Sequence, residues 1–471
     1  MRRQVSMTPP LFTIDAILEA TGGRAEGVEA EAINSISIDS RELGPDALFV
    51  AIKGDRFDGH DFVDIVLANG AVAALVSEGR GTGPGRVVVP EALGGLRGLA
   101  RAARARSRGF IVGVTGSVGK TTTKEALRVV FEAAGQTHAS IKSFNNHWGV
   151  PLMLARMPET AQFGIFEMGM NAPDEIRPLS RLVRPHVAVI TSIAPAHLEK
   201  LGSLENIARA KAEIFEGLEP GGAAVINADH PQINLLLEAA AAAGITRIVT
   251  FGFARGADWQ ILDPTSAADH SFATILQGEA RYELALGVAG RHMLSNACAA
   301  LAVAHLAGIE PEVALQALAG FGAQPGRGAR RVLGQADRAL LLIDESYNAN
   351  TASVAAALDV FSAVEAPGGR KVVVLGDMLE LGEEAAALHA GLAEAVRASG
   401  AGRVHLVGRH VGALAAALPP GLVASHSPTA EQAEDVIVGD LAYGDAVMIK
   451  GSNGVGLARI VNAIAARFEQ G

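Results

Sequence analysis

The chain has 471 residues, with 40 Lys and Arg against 50 Asp and Glu, a formal net charge of −10 and only 4% aromatic residues. That balance argues against a polyanion as the main partner and against the stacking platforms of single-strand nucleic-acid binders; one phosphorylated small molecule stays compatible. A single cysteine, Cys298, excludes a disulfide framework and a Cys-based zinc site and fits a reducing compartment.

The length suggests about three domains. The N-terminal stretch MRRQVSMTPPLFTI has basic residues without the apolar segment of a secretory signal. No uninterrupted apolar run reaches the ~18 residues of a membrane span, so the expected setting is cytoplasmic, without membrane insertion.

Residues 1–107 read as a first, α/β domain. A short helix is expected at Phe12 to Thr21, and strands at Ile33 to Ile38, Ala47 to Ile52, Ala71 to Ser77 and Arg86 to Pro90. Ser40, Arg41 and the run Asp58-Gly59-His60 fall at strand ends, where α/β proteins build ligand sites. Ordinary turn chemistry accounts for them equally well. Leu93 to Arg108 is basic and helical, and in an acidic protein it reads as a solvated helix leading onward.

The second domain, 108–325, opens on FIVGVTGSVGKTTTKE, residues Phe110 to Glu125. A buried strand, a glycine-spaced turn, Lys120-Thr121 and a helix follow one another, as a phosphate-binding loop requires. Glycines let backbone N–H groups turn inward around an anion, and the helix N-terminus adds partial positive charge. Lys120 would reach the terminal phosphates and Thr121 would ligate Mg²⁺. Val114 stands where the strict pattern has its first glycine.

Further strands are expected at Phe163 to Met168, Val187 to Ile193, Ala223 to Asn227 and Arg247 to Gly252, alternating with helices as in a parallel sheet. Residues 257–289 read as short strands of a small antiparallel sheet at the edge. Helices follow at Arg291 to Leu306 and Pro311 to Ala319. Gln324 to Gly328 is the linker into a third domain, 326–471, with βα units beginning near Ala339, Lys371, Val404 and Val447. Its layout is Rossmann-like, but no G-x-G-x-x-G opens its first helix, so no dinucleotide is indicated.

Several residues at strand ends carry candidate chemistry. Glu167 closes a parallel strand beside the phosphate loop, where a carboxylate can hold Mg²⁺ or cap a helix. His197 follows the next strand and could join it. Lys211 lies on the apolar stripe of a helix expected over Ser203 to Leu218, where a buried lysine pairs with an acid or loses its proton, unless it snorkels outward. Asn145 and Asn146, in the loop KSFNNHWGVP, suit amide or sugar groups or simple Asx turns. Asn296 suits an adenine edge and Arg327 a phosphate or ribose. The third domain presents DESYNAN, Asp344 to Asn350, and KGSNG, Lys450 to Gly454, at strand ends.

Together with FEMGM, SIAPAHLEKLGS, GRHMLSNACAA and LGDMLELGE, these motifs resemble, in order and over nearly the whole chain, the Mur ligases. The loop form GxTGxxGKT is normal in that family. The resemblance implies an α/β protein of three domains: an α/β N-terminal domain for a UDP-sugar, a central P-loop ATPase-like parallel sheet for ATP, and a Rossmann-like C-terminal domain for the incoming amine. It implies ATP-dependent amide ligation, with ATP and Mg²⁺ as cofactors. UDP-MurNAc-tripeptide and D-Ala-D-Ala are the expected partners of a monomer that binds no nucleic acid.

By motif, Thr115, Gly116, Ser117, Val118, Gly119, Lys120 and Thr121 would hold the triphosphate. Asn296, Arg327 and the pair Asp344 and Glu345 would meet the nucleotide. Thr121, Glu167, His197 and Lys211 would hold metal, Lys211 matching a lysine carbamylated in relatives; Lys120, Lys211 and His197 are the expected catalytic set. Substrate contacts are expected from Ser40, Arg41, Asn145, Asn146, Tyr347, Asn348, Asn350, Lys450 and Ser452. Three departures from the family pattern stand out: Glu345 where many members have a second Asp, Thr351 in place of proline, and Met293 in place of asparagine. Which of Asp344 and Glu345 meets the ribose stays open. The alternatives are a sibling amide ligase, such as a folylpolyglutamate synthetase, and a nucleotide switch without ligation.

Overall fold

The computed structural model describes residues 9–54, 56–141, 143–335 and 338–469. The N-terminal stretch read for a signal falls largely on residues 1–8, and Lys142 opens the asparagine loop; both lie outside the described residues. Besides a two-stranded pairing of Phe12–Thr13 with Ala32–Ile33, three larger sheets follow one another along the described residues. The first has five strands in the order Arg24–Glu26, Arg86–Val89, Ala73–Ser77, Ala47–Val50 and Ser35–Ser37.

The second sheet has nine strands. Seven neighbours are parallel, from Thr137–Ala139 at one edge to Trp259–Ser266. Strands Ser271–Gln277 and Ala280–Leu286 extend it antiparallel. The separate edge sheet expected for residues 257–289 is therefore corrected: Trp259 pairs with Phe251, so the three strands continue the main sheet. Val and Ile runs fill the parallel strands because helices cover both faces. The third sheet runs Ala329–Gln335, Arg338–Glu345, Asp445–Lys450, Arg370–Gly376, Arg403–Val407, Val423–Ser427, all parallel except the first.

Two further expectations change. The basic helix, observed as Ala92–Arg106, is not a solvated connector. Leu96, Leu99, Ala100 and Ala103 are fully buried, and the buried Arg104 donates to the carbonyls of Val183 and Arg184, each at 2.7 Å. One apolar core thus runs from the first sheet into the second. The Lys211 helix is α-helical only over Leu204–Ala212 and tightens to a 3₁₀ turn over Glu213–Gly217. At that point the buried Glu213 carboxylate accepts from the N–H groups of Asp174 (2.7 Å) and Arg177 (3.0 Å).

Candidate active site

Strand order places the phosphate loop. Its strand, Phe110–Thr115, lies between Phe163–Glu167 and Val187–Ile190, with Glu167 level with Val114 and Ile190 level with Thr115. The loop is therefore flanked by Glu167 on one side and Thr191 and Ser192 on the other, at the C-terminal ends where α/β sheets bind ligands. Ser192 braces it: the Ser117 N–H donates to the Ser192 carbonyl at 2.8 Å, and the Val118 N–H to its hydroxyl at 3.0 Å.

Two glycines are required by space as well as by angle. At Gly116 (φ +151°) a Cβ would stand 1.9 Å from Thr191 Oγ1, and at Gly119 (φ +87°) 2.4 Å from Asn296 Oδ1. Lys120 Nζ donates to the Gly116 carbonyl at 2.6 Å. Burial pulls the Lys120 ammonium below its ordinary range; Glu167 opposes the shift and Arg327 adds to it. Among the described residues, the buried Ser117 Oγ, on the cavity-lining part of the loop, finds no hydrogen-bond partner, as suits a loop shaped to wrap an anion.

Glu167 is nearly fully buried, accepting from Thr121 Oγ1 at 2.9 Å and from Asn145 Nδ2 at 2.8 Å. Lys211 is equally buried; desolvation, then repulsion from Lys120, pushes its amine well below the usual lysine range. His197 is held neutral to lower pH by burial, against the pull of Glu380 and with the push of Lys211 and Lys120. Among the described residues no three His, Cys, Asp or Glu side chains gather as a ready metal cage. Thr121 and Glu167 instead form the kind of partial oxygen set that Mg²⁺ uses when phosphates supply the rest.

A cavity of about 550 Å³ opens over the loop and reaches the third sheet. Ser117, Val118, Gly119, Lys120 and Thr121 line it with Asn145, Glu167 and Asn296 on the second-domain side. Across it stand Arg327, Glu345, Tyr347, Asn348, Asn350 and Lys450. Glu345 and Lys450 end adjacent parallel strands in register, and Lys450 Nζ donates to Glu345 at 3.2 Å and to the Asn348 carbonyl at 3.1 Å. The Arg327 guanidinium lies 4.2 Å over the Tyr347 ring, and the Tyr347 hydroxyl bonds Ser143 of the second domain.

The two acids have different surroundings. Asp344 accepts from the Ser346 N–H (3.0 Å), the Ser346 hydroxyl (2.6 Å) and the Gly326 N–H (3.1 Å), so its carboxylate shapes the loop. Glu345 is the acid that faces the cavity.

Other expected site residues have structural work. Asn146 shapes the turn into the helix Gly149–Ala155, its Oδ1 accepting from the Trp148 N–H at 3.2 Å and the Gly149 N–H at 2.9 Å. Asn350 lines the cavity, yet its Oδ1 caps the helix Thr351–Ser362 through the Ser353 N–H at 2.9 Å. Ser452 accepts from the Leu379 N–H at 3.0 Å. Ser40 and Arg41 do not line this cavity, and Arg41 is exposed, chelating Asp39 at 2.9 and 2.7 Å. Asp58 and His60 bond each other at 2.6 Å, with the Ser77 N–H donating to His60 at 3.0 Å. Sequence reading missed Ser192, Ser143 and Glu380; all three lie inside motifs already quoted, but nothing local marks what they touch.

Residues 32–93 match the Mur ligase family catalytic domain, 114–304 the Mur ligase middle domain and 330–453 the Mur ligase glutamate ligase domain. The UDP-N-acetylmuramoyl-tripeptide–D-alanyl-D-alanine ligase of Bacillus subtilis is 33% identical over 95% of this chain and 97% of its own. That of Escherichia coli is 34% identical over 86% and 88%. Among solved structures, MurF from Acinetobacter baumannii superposes with a TM-score of 0.85 at 27% identity, covering 98% of this chain and 100% of that one. The MurF ligase from Thermotoga maritima in complex with ADP gives 0.77 at 26% identity, over 93% and 98%.

Proposed function

Because the chain belongs to the Mur ligase family, we propose that it joins D-Ala-D-Ala to UDP-MurNAc-tripeptide at the expense of ATP, in peptidoglycan precursor synthesis. The observation that carries the reading is the cavity of about 550 Å³ between two sheets. A phosphate loop with its lysine faces, across that cavity, an arginine, an acid and a lysine of another domain.

The chemistry follows from what each side can hold. A carboxylate is a poor electrophile because its leaving group is oxide-like. Transfer of the γ-phosphoryl of ATP to it gives an acyl phosphate; the amine of the dipeptide attacks the carbonyl, the C–O bond breaks and inorganic phosphate leaves. Phosphoryl transfer demands positioning and charge neutralisation. Lys120 and the loop N–H groups face the β- and γ-phosphates, Asn296 and Glu345 orient the nucleoside, and Arg327, stacked on Tyr347, closes over it. Docking of the third domain brings amine to carbonyl and keeps water from the acyl phosphate.

Thr121 and Glu167, with His197 and Lys211, would hold Mg²⁺, which neutralises charge on the phosphates when bound. Lys211, buried and driven toward the neutral amine, is suited to add CO₂ and become a carbamate with two hard oxygens. We assign residues 1–107 to the UDP-sugar, 108–325 to ATP and 326–471 to the amine substrate. No described helix is long and apolar enough to cross a membrane; we further propose that the protein acts on small molecules as a cytoplasmic monomer. The test is ADP release: it should require both UDP-MurNAc-tripeptide and D-Ala-D-Ala, and turnover that is unchanged when either is omitted would refute ligation.

A further inference from the structure

The motif LGDMLELGE, carried by residues 375–383, has no part in the chemistry above. Its backbone is fixed at several points. The Asp377 carboxylate accepts from the N–H groups of Arg409 (2.9 Å) and Val411 (2.7 Å). The Met378 N–H donates to Nε2 of the fully buried His389 at 2.9 Å, and the Leu379 N–H donates to Ser452 Oγ at 3.0 Å. Met378 and Leu381 are themselves buried.

The residue this frame presents is Glu380. It sits at φ +63°, and its carboxylate bonds Nδ1 of His197, which belongs to the second domain and sits at φ +58°. Around this contact the two domains touch closely. The Glu199 N–H donates to the Glu380 carbonyl at 3.4 Å, and a Cβ on Gly382 would stand 3.2 Å from Glu199 Cα. Left-handed backbone is uncommon for residues with a side chain and costs free energy. A half-exposed contact between a carboxylate and a neutral imidazole returns little. Two such residues meeting across a domain boundary are thus poorly explained as a stabilising contact, and strain of this kind clusters at working sites.

A carboxylate can only accept, so Glu380 selects the His197 tautomer with its proton on Nδ1 and leaves the Nε2 lone pair free. That is the arrangement in which a carboxylate orients a metal-ligating imidazole. Resting on the reading of His197 as a Mg²⁺ ligand, we propose that Glu380 is a positioning residue. From the third domain it orients His197, so the metal site of the second domain reaches full affinity only when the two domains are docked.

The experiment uses the full chain with ADP and Mn²⁺ as the metal probe, its affinity read by electron paramagnetic resonance. The His197 tautomer is read separately in metal-free protein by long-range ¹H–¹⁵N NMR, the signal being assigned by its loss in His197→Ala. Glu380→Ala should weaken Mn²⁺ binding by about 10- to 100-fold, the range for loss of an orienting partner, and should mix the tautomers. Glu380→Gln, whose carbonyl still accepts from Nδ1–H, should recover most of both and shows that the loop still folds. If His197→Ala weakens Mn²⁺ binding while Glu380→Ala changes neither affinity nor tautomer, the positioning role is overturned and the metal site stands. If His197→Ala also leaves Mn²⁺ affinity unchanged, both are overturned.

Discussion

Gly119→Ala tests whether the loop over Lys120 is the ATP site. The added Cβ meets two penalties. Backbone at φ +87° suits glycine, and an L-residue there pays about 1–2 kcal/mol. The methyl would also lie 2.4 Å from Asn296 Oδ1. To make room, Asn296 must give up the 3.2 Å bond it accepts from Thr123 Oγ1, a net loss of about 0.5–1.5 kcal/mol. The free loop can relax out of this geometry, and a bound triphosphate has to draw it back, so the cost appears as lost affinity. Together about 1.5–3.5 kcal/mol, at about 1.4 kcal/mol per factor of ten, predicts a ~10- to 300-fold weaker complex. Calorimetry with a non-hydrolysable ATP analogue measures it. Gly221→Ala is the control: it too has positive φ (+78°), but nothing lies within 4 Å of its Cβ, and it should leave affinity unchanged. A Gly119→Ala protein that binds the analogue within threefold of the parent would refute the assignment.

Three further outcomes follow from the same geometry. Lys211→Ala should lose most ligase activity and regain part of it with added formate or acetate, whereas Lys211→Arg should be inactive and beyond rescue, because guanidinium keeps its charge; wild-type turnover by Lys211→Ala without added carboxylate would sink the carbamate. Tyr347→Phe keeps the ring under Arg327 and deletes one hydrogen bond to Ser143, so kcat/KM should fall only about 2- to 10-fold, and a thousandfold loss in steady-state assays would mean that the hydroxyl joins the chemistry. In the first domain burial would raise the Asp58 pKa, but the bonds from His60 and Arg80 outweigh it and hold the carboxyl at about 2. A depressed carboxylate stabilises the fold above its unfolded pKa near 3.8 and loses that contribution as pH falls toward 2. Melting curves of the parent and Asp58→Asn should therefore differ at neutral pH and converge in that acid window.

Chemistry that needs contiguous residues was legible in the chain. The phosphate loop, the strands Ala223–Asn227 and Arg247–Gly252 and the helices Arg291–Leu306 and Pro311–Ala319 lie where spacing puts them. Two edge strands were not: Arg24–Glu26 and Ala329–Gln335 are polar, pair on one side only, and carry no buried apolar run. The tightening at Glu213 was also hidden, since its cause lies in residues almost 40 positions away.

Within the site, the type of a side chain said less than what its atoms already bond. Asp344 and Glu345 are neighbours with the same functional group, and no pattern ranks them. Their surroundings differ: three hydrogen bonds tie Asp344 to its own loop, while Glu345, paired with Lys450, keeps a face on the cavity. The two asparagines of the 145–146 pair divide in the same way, Asn145 holding Glu167 and Asn146 shaping the turn into a helix. The contacts that join domains, Tyr347 to Ser143 and Glu380 to His197, span 204 and 183 positions. They depend on how finished sheets dock, and no local signal carries that information. A ligase that must open for its substrates and close over a water-sensitive acyl phosphate would place its control in such contacts, because they alone distinguish the docked arrangement from the separated one.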